Sequence, residues 1–174
     1  MRFIKTNRAT LVLIAFFSAC SAAPTTAVEI ARTLAPAGSA NAWGPESPGF
    51  NLEAVLRGDG FGLVRFRQPN DADKTIYLYT WVRGLTPNTD YQLQRAVDTN
   101  LDGNCTSAAW LTLGAGLTPL AITTDDRGTG SASLWRDVAA IATGSRFDIH
   151  FRVVNAQTGA VVLTSACYEY VVSQ

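Results

Sequence analysis

Residues 75–84, "TIYLYTWVRG", place Ile76, Leu78 and Thr80 on one side of an extended chain and Tyr77, Tyr79 and Trp81 on the other. A period of two cannot line one face of a helix, so this run is a strand. It is one of a series. "NLEAVLR" and "FGLVRFRQ" flank Gly58-Asp59-Gly60 and read as a hairpin. "YQLQRAV" follows the turn Leu85 to Asp90, and "PLAITT" and "GSASLW" flank the turn Asp125-Asp126-Arg127-Gly128. "RFDIHFRVV" and "AVVLTSACYEYVV" are joined across Asn155 to Gly159. Only "RDVAAIA" offers a helical turn. About eight short strands at regular spacing predict an all-β domain over residues 50–174, an antiparallel Greek-key β-sandwich or flattened barrel.

The segment ahead of that domain has a different texture. Arg2, Lys5 and Arg8 precede the apolar run Leu11 to Phe17, and small residues follow. The run is shorter than the roughly 20 apolar residues that span a bilayer, so residues 1–23 read as an export signal. Two cleavage readings are open. Phe17-Ser18-Ala19-Cys20 resembles a bacterial lipobox, which would lipidate Cys20 and tether the chain to a membrane. Ordinary cleavage after Ala23 is the alternative. Residues 24–49, rich in Ala, Thr, Pro, Ser and Gly, read as a flexible tether. The expected location is secreted or lipid-anchored, on the periplasmic or extracellular side.

Export bears on the cysteines. Either cut leaves Cys105 and Cys167 as the thiols free to pair, and an oxidising compartment favours a disulfide between them over two buried free thiols. Charge excludes one class of partner. Basic and acidic residues number 14 each, and the leader takes three of the basic ones, leaving a mildly acidic chain with no basic stripe. Nucleic-acid binding has no support.

The strands, in their order, resemble the copper/zinc superoxide dismutase family over roughly residues 52–172. "AVLRGDGFGLVRFRQ" is similar to that family's first hairpin, and "WVRGLTPNTDYQLQRAVD" to its Gly-Leu-x-Pro turn and first copper-ligand strand. "GNCTSAA" resembles its cysteine loop and "LAITTDDRGTGSA" its later hairpin. "GSRFDIH" resembles its Gly-to-His strand entry, and "SACYEYVV" its last strand. The resemblance implies a copper and a zinc site built from several histidines. Here Gln92 and Gln94 stand where the family has His-x-His, and Trp110 to Leu113 where bridging and zinc histidines follow the cysteine. "GAGLTP" stands in place of the long zinc loop, and Thr164 in place of an arginine beside the copper. His150 is the one histidine in the chain. Redox copper and catalytic zinc each need several protein ligands, so the expectation is a scaffold without dismutase chemistry.

Two metal readings stay open beside that one. His150 projects away from Phe147, Ile149 and Phe151; it is either a surface histidine beside Asp148 and Arg152, or a residual metal or ligand contact shared with Gln92 and Gln94. Asp98, Asn100 and Asp102 alternate as calcium-loop ligands do, Gly103 permits the turn, and Asn104 offers a carbonyl. The twelfth position, where a bidentate Glu closes such a loop, is Ala109, and Asx-rich turns also form for local reasons. No catalytic triad can be assembled, so no catalytic residue is expected. The expected role is binding or structural support at the bacterial cell envelope, with calcium as the one candidate cofactor and the partner unspecified.

Overall fold

The computed structural model describes residues 49–174, and among them there is no helix. The expected signal peptide, with Cys20, and the expected tether lie outside the described residues, except Gly49, which opens the first strand. Six long strands carry the fold: β1 (Gly49–Gly58), β2 (Phe61–Pro69), β3 (Thr75–Arg83), β4 (Asp90–Asp98), β9 (Gly130–Asp137) and β10 (Arg146–Asn155). Shorter pieces are β5 (Leu111–Thr112), β6 (Gly114–Ala115), β7 (Thr118–Pro119), β8 (Ile122–Thr123), β11 (Val161–Ser165) and β12 (Tyr168–Val171).

All twelve belong to one sheet, in the order β5-β4-β10-β11-β1-β2-β3-β9-β6-β7, with β12 added to β10 and β8 to β4. The sheet curls on itself. β8 pairs with β4 near one end of the order, while Thr124, just beyond β8, bridges to Gly130 of β9 near the other. The result is a nearly closed barrel. Closure hides the sheet edges that would otherwise recruit other chains.

Alternation decides what fills it. Ala54 and Leu56 of β1, Val64 and Phe66 of β2, Ile76, Leu78 and Val82 of β3, and Tyr91 and Leu93 of β4 all point inward and are buried. Ile149, Phe151 and Val153 of β10 meet them. Tyr77 and Tyr79, in the opposite phase of β3, are exposed. The predicted face assignment of this strand is therefore the observed one. Thr80 has the inward phase, is fully buried, and its hydroxyl has no hydrogen-bond partner. An unsatisfied buried hydroxyl costs about 1–3 kcal/mol, so Thr80→Val should raise stability by about 1 kcal/mol in a denaturant titration.

Three stretches differ in detail from their expectation. "RDVAAIA" contains no helical turn: β9 runs on to Asp137, whose carboxylate then accepts from Ala139 N (2.7 Å) and shapes a tight turn. "PLAITT" divides between β7 and β8. "AVVLTSACYEYVV" breaks at Ala166–Cys167, so β11 pairs with the second half of β10 and β12 with the first. The turn at Asp125 is as expected. Its carboxylate accepts from Thr129 N and Arg127 N, both at 2.9 Å, which holds it below the usual carboxylate range. Gly128 closes that turn at φ +72°, where a Cβ would sit 2.0 Å from the Leu85 carbonyl oxygen.

The chain's last residues are fastened by a buried glutamine. Gln68 Oε1 accepts from the Tyr170 hydroxyl (2.6 Å) and Ser173 N (3.0 Å), and Nε2 donates to Ser173 O (3.1 Å). Burial pushes the Tyr170 phenol well above the ordinary tyrosine range. Its folded pKa exceeds its unfolded value of roughly 10, so its contribution is intact below that pH and is lost as pH rises beyond it. Melting temperature should fall above about pH 10, and Tyr170→Phe should flatten that fall.

Candidate functional site

β4 and β10 pair antiparallel, with His150 opposite Ala96, Arg152 opposite Gln94 and Val154 opposite Gln92. On the outer face of this pair the sequence sets Gln92, Gln94 and Asp98 beside Asp148, His150 and Arg152. The connection from β4 to β6, residues 99–113, lies back over that face. Cys105 is bonded to Cys167, 62 residues away and just ahead of β12, which fixes the connection to the strand next to β10. The expected disulfide is present.

The side chains beneath are engaged one by one. Asp148 is 3% exposed and accepts from Gly103 N (2.7 Å). His150 Nε2 lies 3.2 Å from the Ser107 carbonyl. A carbonyl can only accept, so in this contact Nε2 is the donor. The Trp110 ring covers His150, centroid to centroid at 4.5 Å, and the Arg152 guanidinium lies 4.0 Å from the same ring. Gln94 is held at both ends: Oε1 accepts from Arg152 Nε (2.7 Å) and Nε2 donates to Thr112 Oγ1 (3.0 Å).

The residual-site residues thus share a face. His150 and Gln94 lie two residues apart in register, with Gln92 two further on. Gln94 spends its amide on Arg152 and Thr112, and His150 sits half-buried under Trp110 rather than open at the surface. Among the described residues, no group of three or more His, Cys, Asp or Glu is spaced to hold a metal ion.

The Asp98–Asn104 loop satisfies itself. Asp98 accepts from Ser107 N (3.1 Å) and Thr106 Oγ1 (3.4 Å), turning toward the cysteine loop. Asp102 accepts from Asn100 Nδ2 (2.6 Å) and Asn104 N (2.9 Å). Gly103 takes φ +72°, as the turn reading requires. These are the local hydrogen bonds that make Asx turns stable without an ion.

Sequence reasoning missed Trp110 as the cover of His150 and two inward-phase arginines, one on β4 and one on β9. Arg95 shares the inward phase of Tyr91, Leu93 and Val97, and Arg136 that of Leu134 and Val138. Both line a partly open cavity of about 120 Å³ at the barrel interior, walled by Phe66, Leu78, Phe147 and Phe151. Burial, and then the charge of Arg136, lower the Arg95 pKa from its ordinary value. The signal was available as a charge in the apolar phase of a strand.

No protein-family model matches the chain, and no curated protein matches it.

Proposed function

We propose that this chain is an exported, catalytically silent β-sandwich of the copper/zinc superoxide dismutase type, serving as a binding or structural protein of the bacterial cell envelope. The observation that carries the reading is Gln94. It stands where that family has a copper-binding histidine, and its amide is committed to Arg152 and Thr112. The Greek-key part of the reading rests on six segments in family order, and it is supported by a disulfide joining the cysteine loop to the last strand. The disulfide also suits an oxidising compartment, in keeping with the leader sequence. Anchoring through a lipid on Cys20 belongs to the same proposal.

Superoxide turnover by the purified protein supplied with copper and zinc tests it. Turnover at the level of buffer plus the same metals is expected. Catalysis abolished by His150→Ala would replace this reading with a divergent metalloprotein. Melting temperature should be unmoved by millimolar calcium; an upward shift that Asp102→Asn removes would establish a calcium-stabilised module instead. Incorporation of a palmitate analogue should depend on Cys20, and label retained in Cys20→Ala would end the anchor proposal.

A further inference from the structure

We propose that the cavity inside the barrel binds a small organic carboxylate, its apolar body among the aromatic walls and its carboxylate between Arg95 and Arg136. The site is on the opposite side of β4 from Gln94 and His150, so the inference stands whether or not the outer face holds a metal.

Charge is the first argument. Arg95 and Arg136 line the same void, and among the described residues neither is ion-paired with a carboxylate; the two ion pairs present are Arg65–Glu53 and Arg146–Glu169. Burial strips hydration from the Arg95 guanidinium, and the neighbouring charge of Arg136 repels it. The lowered Arg95 pKa has those two causes, burial first and Arg136 second. An anion between them removes both penalties, and the planar guanidinium fork matches a carboxylate in two parallel hydrogen bonds. Arg136 is already oriented, since its Nη1 donates to the Gly116 carbonyl (3.2 Å). Tyr170 does not compete for the anion, because its hydroxyl is committed to Gln68.

Size and lining are the second argument. Apart from the two arginines and Tyr170, the walls are Phe, Leu, Ile and Val side chains, which accept an apolar body and offer no hydrogen bond to a polar one. A cavity of about 120 Å³ is close to the roughly 150 Å³ apolar void that holds a benzene molecule. The fitting ligand therefore has an apolar body of about six carbon atoms.

Calorimetric titration of the full chain tests the proposal with defined probes: benzoate and hexanoate, their neutral counterparts benzyl alcohol and hexanol, and inorganic sulfate. The carboxylates are expected to bind at least tenfold more tightly than the alcohols, and sulfate to bind more weakly than either carboxylate. Arg95→Met and Arg136→Met should each weaken carboxylate binding at least tenfold and leave alcohol binding within about twofold. Equal affinity for acid and alcohol would overturn the proposal, as would sulfate binding as well as benzoate. So would carboxylate affinity unchanged in both arginine variants, or no binding of either carboxylate. The comparison of acid with alcohol uses the unaltered protein, so its outcome does not depend on a variant folding.

Discussion

Cys105→Ala or Cys167→Ala should lower stability by about 4 kcal/mol, the loop-closure value for a link spanning 62 residues. For a domain of this size that is a fall of roughly 15 °C in melting temperature. The effect should also be local. Without the link, the connection over residues 99–113 is held to the outer face by hydrogen bonds such as Gly103 to Asp148 and Ser107 to Asp98, and by Trp110. Hydrogen exchange in residues 99–113 should rise by far more than exchange in β2 or β3. Uniform loss of protection across the barrel would mean that the disulfide supports the whole sheet rather than the cover of His150. Double replacement Cys105→Ala/Cys167→Ala should match the single variants, since each already breaks the bond.

Gln68→Leu should cost about 3 kcal/mol, because it leaves the Tyr170 hydroxyl and Ser173 N without acceptors while nearly conserving volume. Gln68 is fully buried, so water cannot simply replace its amide. A double-mutant cycle isolates the cause. Tyr170→Phe should be destabilising in the unaltered protein and close to neutral in the Gln68→Leu background. Equal cost in both backgrounds would place the loss in packing rather than in this hydrogen bond. The same cycle should leave the outer face unchanged, since Gln68 fastens residues 170–173 at the other side of the sheet.

Much of the barrel was legible because alternation is a local property. Ile76, Leu78 and Thr80 declare the inner phase of β3 without reference to any other strand. The Gly58–Gly60 turn and the Asp125–Gly128 turn carry their own chemistry in the same way. Pairing of Cys105 with Cys167 followed from a count of thiols. What alternation does not encode is where a connection lies in space. "GNCTSAAW" has no period, and Trp110 reaches His150 only because the disulfide and Asp98 turn the chain back over β10. His150 accordingly read either as a surface residue or as a residual metal or ligand contact, and neither reading foresaw the indole over it. The breaks in "PLAITT" and at Ala166–Cys167 likewise come from tertiary pairing, since each half finds a different partner or position in the sheet.

Arg95 shows the reverse case, a legible signal that went unused. Its phase with Tyr91, Leu93 and Val97 puts it inside, yet a charged side chain in a half-buried strand is ordinarily assigned to solvent. Arg136 repeats the pattern on β9. One inward charge is an oddity; two lining the same void make a chemical environment. Neither strand alone carries that information, because the curl of the sheet is what brings β4 and β9 to one cavity.

Metal content of protein purified from its native compartment without chelators tests the silent-scaffold reading most directly. Copper and zinc each well below one atom per chain are expected, with no change on His150→Ala. Near-stoichiometric copper that survives dialysis and disappears in His150→Ala would contradict that reading and make the outer face of β4 and β10 a metal centre.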